Sequence, residues 1–184
     1  MVIENLPKTL ARLQVNDSLI SDALAYVIHP SGDKFNEFVA SDSDGFLELP
    51  LEDGEQATLI VAGGGLPVKI MRLPDAGENL DGEVSISLDL QGGDLVIDAS
   101  SLAGQADEPE GNALTILHNG ATVNVSALAR IVAPEVNENG QLVLRNLETG
   151  QYAVCLSNSD AEMPICANAD VVDQAGGLAL LSNP

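Results

Sequence analysis

Two stretches of this chain follow one plan. Residues 42–62 read DSDGFLELPLEDGEQATLIVA, and residues 137–157 read NENGQLVLRNLETGQYAVCLS. Each opens with an acidic or amide residue before Gly and continues as alternating apolar residues. Each then turns at an acidic segment containing Gly and ends in a second apolar strand. Asp44-Gly45 aligns with Asn139-Gly140, and Leu47 and Leu49 align with Leu142 and Leu144. After a one-residue insertion in the second copy, Gly54 aligns with Gly150. The copies lie roughly 95 residues apart, about half the chain. That spacing predicts two similar domains and argues against a solenoid, which needs several shorter repeats. With the boundary placed at QGGD, the domains are residues 1–90 and 91–184.

The segments around the repeat also read as strands. ARLQV alternates, AYVIH is a short apolar run, and KFNEFVAS sets Phe35 and Phe38 beside Val39. EVSISLDL has a period of two, which predicts Val84, Ile86, Leu88 and Leu90 on the inner face. Leu19, Ala23, Leu24 and Val27 also fit helical spacing behind Asp17-Ser18, so a helix over residues 18–28 stands as a rival. PDAGENLDGE and GQADEPEG read as polar loops, and Asn119-Gly120 as a hairpin turn. SALARIV predicts one short helix capped by Ser126, and GGLALLSNP a last strand. Turn signals this closely spaced predict an all-β chain of two tandem β-sandwich domains, Ig-like or prealbumin-like, with one short helix.

Hydrophobic residues make up 45% of the 184, enough to build cores from Leu, Val, Ile and Ala, since aromatics supply only 3%. No apolar run approaches the roughly 18 residues of a membrane helix, so no membrane insertion is expected. The start, MVIENLPKTL, shows no basic region followed by a long apolar one, hence no visible signal peptide. Asp plus Glu number 28 against 7 Lys plus Arg, a formal net charge of −21. Such a surface repels phosphate backbones and anionic membranes, which argues against nucleic acid as a partner. It favours solubility, salt tolerance and attraction of cations.

Cys155 and Cys166 flank SNSDAEMP, a segment rich in turn residues. A hairpin centred on Asp160 and Ala161 sets the two thiols opposite each other, within disulfide reach, and predicts a bridge. Two reduced core thiols are the alternative. A bridge implies a secreted, cell-surface or periplasmic protein, whose leader would have preceded Met1.

Other chemistry finds weak support. Asp42-Ser43-Asp44-Gly45 fails the EF-hand register, because Ala40 occupies the preceding ligand position. A turn with positive φ at Asp44 or Gly45 is the better reading, and a looser Ca²⁺ site at Asp42 and Asp44 stays open. Gly63-Gly64-Gly65 lacks the Lys and Ser/Thr of a phosphate loop and reads as a flexible connection between strands. His29 and His118 have no nucleophile elbow beside them and are expected on surface loops. No cofactor is expected. Asn16-Asp17-Ser18 and Asn124-Val125-Ser126 are sequons that matter only in a eukaryotic secretory pathway.

ALAYVIH, VASDSDGFLELPLEDGEQATLIVAGGG and LPVKIMRL together resemble the carboxypeptidase regulatory-like module, a prealbumin-type β-sandwich. Ser41, Asp42, Asp44, Gly45 and Gly54 fill its turn positions, and Gly150 and Tyr152 supply a Gly-x-Tyr signature in the second copy. The likeness covers residues 16–73 and, more fully but briefly, 141–156, while 94–136 departs from it and leaves the second copy divergent. The resemblance implies a non-catalytic structural or adhesive role outside the cytoplasm, exercised through a protein partner or self-association. One alternative is a polymerising subunit of a surface filament, joined by strand pairing and assisted by Ca²⁺. Another is a hydrolase with an acidic site.

Overall fold

The structure is a computed structural model, and it describes residues 9–16, 18–30, 35–52, 55–73, 83–100, 113–157 and 163–182. The chain divides into two compact units, Met1–Leu90 and Gln91–Pro184.

The first unit contains β1 (Thr9–Val15), β2 (Ser18–Leu19), β3 (Ala23–Ile28), β4 (Glu37–Ala40), β5 (Phe46–Leu49), β6 (Ala57–Gly63), β7 (Leu66–Leu73) and β8 (Glu83–Ser87). In one sheet β1 pairs antiparallel with β5, parallel with β8, and through its last residues with β2. The other sheet is antiparallel in the order β4-β3-β6-β7. Period-two alternation sends Ala11, Leu13, Leu47, Leu49 and Ile86 inward from the first sheet, against Ala25, Val27, Leu59 and Val61 from the second.

The second unit contains β9 (Gly92–Asp98), β10 (Ala113–His118), β11 (Ala121–Asn124), α1 (Val125–Leu128), β12 (Glu135–Val136), β13 (Leu142–Glu148), β14 (Gly150–Ser157), β15 (Ile165–Val171) and β16 (Gly177–Leu180). Here β9 pairs antiparallel with β13 and parallel with β16, as β1 does with β5 and β8. The opposing sheet runs β11-β10-β14-β15, the counterpart of β4-β3-β6-β7. Leu95, Ile97, Ile116, Val123, Leu128, Leu147, Val154 and Val171 are buried. The sequence departs from the first copy over 94–136, yet the strands there pair in the same order. What is added is α1 and the two-residue β12.

Several local expectations are corrected. Residues 18–28 form β2 and β3, not a helix, because Ala23, Ala25 and Val27 alternate into the core. The helix α1 is capped by Asn124 rather than Ser126: Asn124 Oδ1 accepts from the Ser126 N–H at 2.9 Å. Leu90 follows the end of β8 and is exposed, while Ile86 and Leu88 are buried. Gly63 is no loose connection. It adopts φ +145°, and a Cβ there would lie 2.4 Å from Ala23 Cα, so only glycine lets β6 pass β3 this closely. Asn119 and Gly120, at φ 46° and 71°, make the two-residue turn between β10 and β11. The loops at 74–82 and 104–111 lie outside the described residues. Among the described residues no helix is long and apolar enough to cross a membrane.

Candidate functional site

Asp42, one of the two candidate Ca²⁺ ligands, is occupied by its own turn. Its Oδ1 accepts from the N–H groups of Asp44 and Phe46, each at 2.9 Å. Its own N–H donates to Phe46 O at 2.9 Å, and its carbonyl accepts from Gly45 at 3.1 Å. Asn137 repeats all four bonds: Oδ1 accepts from Asn139 and Gln141 at 3.0 Å, its N–H donates to Gln141 O, and its carbonyl accepts from Gly140. Gly45 and Gly140 share φ near +77°, at +78° and +76°. The repeated sequence unit is thus a repeated side-chain-to-backbone turn. Among the described residues no group of three or more His, Cys, Asp or Glu is placed to hold a metal ion.

Both histidines are buried, against the expectation of surface loops. His29 follows β3, and its Nδ1 donates to Glu55 Oε1 at 3.0 Å while the other Glu55 oxygen accepts from the Glu52 N–H. His29 Nε2 is buried without a hydrogen bond among the described residues. His118 closes β10: Nδ1 donates to Gln151 O at 2.9 Å, and Nε2 accepts from Asn119 Nδ2 at 2.9 Å. Its ring lies flat on Tyr152, centroids 3.9 Å apart, and a Cβ on Gly150 would lie 2.9 Å from its Cε1. Tyr152 donates its hydroxyl to Glu148 O at 2.7 Å. Burial, followed by the nearby Glu148 carboxylate, pushes the Tyr152 hydroxyl well above its ordinary pKa. These partners explain the burial of the His118 ring, and local sequence did not reveal them because Gln151 and Tyr152 lie on a different strand.

Cys155 on β14 and Cys166 on β15 are directly opposed and joined in a disulfide. Across the outer face of the other sheet, Arg145 donates to Glu135 Oε2 at 2.7 Å and to Asp94 Oδ2 at 3.1 Å. The Arg145 hydrogen bond holds the Glu135 carboxyl below its usual range. Asn146 N–H donates to Asp94 Oδ1 beside the bulge in β13, fixing its positive φ.

The surface feature with a bearing on partners is the set of open strand edges. Among the described residues, the strands that pair on one side only and also expose a large apolar residue are β2, β4, β12 and β16. They expose Leu19, Phe38, Val136, and Leu178 with Leu180, respectively. None of the four contains lysine, the residue that most often guards an edge. β16, with sequence GLAL, carries no charge and no proline, and Leu178 and Leu180 are 53% and 56% exposed.

No protein-family model matches the chain, and a search of curated proteins finds no match. Among solved structures it is distantly similar to the minor pilin GBS52 of Streptococcus agalactiae, at 9% identity and a TM-score of 0.32, covering 95% of each chain. It is similar at 10% identity and TM-score 0.33 to the major pilin subunit of Bacillus cereus, covering 96% of this chain and 70% of that one. A third likeness is to the Bacillus anthracis TIE protein, at 14% identity and TM-score 0.33, of whose length this chain spans 33%.

Proposed function

We propose that this chain is a non-enzymatic structural or adhesive β-sandwich module that acts outside the cytoplasm through protein contacts. The observation that carries the reading is β16, an uncharged edge strand with two exposed leucines. Soluble proteins blunt such edges because open backbone groups beside apolar side chains recruit another strand. An edge left this way suits pairing with a partner. The Cys155–Cys166 bridge supports an oxidising compartment. The shared pairing order and the matched turns at Asp42 and Asn137 support descent of both units from one carboxypeptidase regulatory-like plan.

A second reading is a filament subunit whose edge pairs with the next copy, with Ca²⁺ bridging carboxylates that include Asp42 and Asp44. The same open edges favour it.

The test uses the immobilised chain and a double variant, Leu178→Lys with Leu180→Lys, exposed to surface proteins washed from the source cells. The wild type should retain a defined set that the variant, with unchanged circular dichroism, does not. Equal retention by both would remove the basis for the reading. Sedimentation of the free chain, concentration-dependent only in the wild type, would identify the partner as another copy.

A further inference from the structure

The two copies of the Asx turn lead to different outcomes. After Asn137–Gln141 the flanking strands stay paired, with Val136 opposite Leu142 and Glu135 opposite Val143. After Asp42–Phe46 they separate. Ala40, two residues before its turn as Glu135 is before the other, pairs instead with Leu24 in one sheet, and Glu48, two residues after its turn as Val143 is, pairs with Leu10 in the other. Between β4 and β5 this splay opens a cleft of about 390 Å³, lined by Phe38, Ala40, Asp42, Phe46 and Glu48 among others.

The hydrogen-bond phase of β4 is set by its end. Ser41 N–H donates to Ala23 O at 2.9 Å, so Val39 and Glu37 also direct their backbone groups to β3. The alternate residues point the other way, and Asp42 shows this by donating to Phe46 O on β5. Phe38 and Ala40, in the same phase, therefore aim their N–H and C=O groups at the cleft. Phe38 is 45% exposed and lies against Tyr26, with centroids 4.6 Å apart, which fixes an apolar wall. Asp42 and Glu48 line the same cleft, and Arg12 lies over the Phe46 ring at 5.0 Å to its centroid.

We infer that the β4–β5 cleft accepts an extended strand of a partner protein in which lysine or arginine alternates with small apolar residues. This deepens the protein-contact reading above and rests on it. Backbone pairing to Phe38 and Ala40 supplies the register, and the two faces of the strand divide by period two. The apolar face turns with Val39 toward the core, and the other face brings its cations to Asp42 and Glu48, which line the cleft together with Phe38 and Phe46. Charge excludes a second copy of this chain as the preferred occupant, since at −21 it repels itself.

The probe is a short synthetic peptide of alternating Val and Lys, labelled for fluorescence anisotropy. Its controls are a Val–Glu peptide and a Val–Lys peptide N-methylated at alternate residues. The Val–Lys peptide should bind about tenfold or more tightly than either control, and should slow amide exchange at Phe38 and Ala40 by a similar factor. Ala40→Pro removes an outward N–H while sparing the bonds to β3, and should weaken binding about tenfold. If that variant does not fold, the N-methylated peptide makes the same deletion from the other side. Equal binding of the N-methylated peptide, or binding without protection at Phe38 and Ala40, overturns the proposal as mere adhesion to an acidic surface. No binding of the Val–Lys peptide also overturns it. In either case the module reading still stands if Leu178→Lys with Leu180→Lys abolishes retention of surface proteins.

Discussion

The carboxylate Oδ1 of Asp42 and the carboxamide Oδ1 of Asn137 accept the same pair of backbone N–H groups, so the turn requires an oxygen at that position and no charge. Asp42→Asn should therefore leave stability nearly unchanged. Asp42→Ala and Asn137→Ala should each cost about 1–2 kcal/mol, the loss typical of a removed side-chain cap. Denaturant unfolding with unchanged m-values would measure it, and a costly Asp42→Asn would show that the charge matters to the fold. Because Asp42→Asn keeps the turn, it also separates any Ca²⁺ response from structural damage. The turn was legible in the sequence because its cause is local: Asx, two residues, Gly at positive φ. The burial of His118 was not. It depends on Tyr152 stacking from 34 positions away and on the missing side chain of Gly150, neither of which marks the residues beside the histidine.

At the level of elements, the β14–β15 hairpin shows what pattern can and cannot supply. Two apolar segments around a polar turn placed Cys155 opposite Cys166, and the ladder from Gly150↔Val171 to Leu156↔Ile165 has that register. The bridge spans a sequence separation of 11. Closing a loop of that size should stabilise by about 2–4 kcal/mol, chiefly by restricting the unfolded chain. The double variant Cys155→Ala, Cys166→Ala should lose that amount in equilibrium unfolding while keeping its strand-dominated circular dichroism. An unchanged midpoint would mean that the adjoining ladder already holds the two strands together in the unfolded ensemble. Residues 18–28 satisfied both helical and strand periods, and the core decided in favour of strand by burying alternate residues. The parallel partners β8 with β1 and β16 with β9 were beyond the sequence, because period two assigns a face and not a neighbour. The cleft was hidden for a related reason. The same turn precedes paired strands in one unit and separated strands in the other, and only the sheet each strand joins decides which.

For the whole molecule, 28 acidic against 7 basic side chains set the terms on which any edge can be used. At −21, two copies approaching through β16 meet a long-range repulsion before the exposed leucines come into contact. At 0.01 M salt the Debye length is about 30 Å and at 0.15 M about 8 Å, so screening acts over the distances at which copies first sense each other. The isolated chain should then be monomeric at low salt, and any self-association should grow with NaCl. Divalent cations offer a second route, since Ca²⁺ accepts carboxylates from two subunits. On that route association should appear at far lower CaCl₂ than NaCl, with the acidic stretch from Asp42 to Glu55 as one source of ligands. A second acidic stretch in the sequence, Asp107 to Glu110, is another candidate source and lies outside the described residues. Light scattering across matched NaCl and CaCl₂ series, repeated with Asp42→Asn, distinguishes screening from bridging. Screening gives curves that coincide at equal ionic strength, whereas bridging gives a CaCl₂ curve displaced to lower concentration. Oligomers that persist in low salt with chelator present would show that apolar contact outweighs the field, and would place the dominant interface on the leucines of β16 rather than on screened edge pairing.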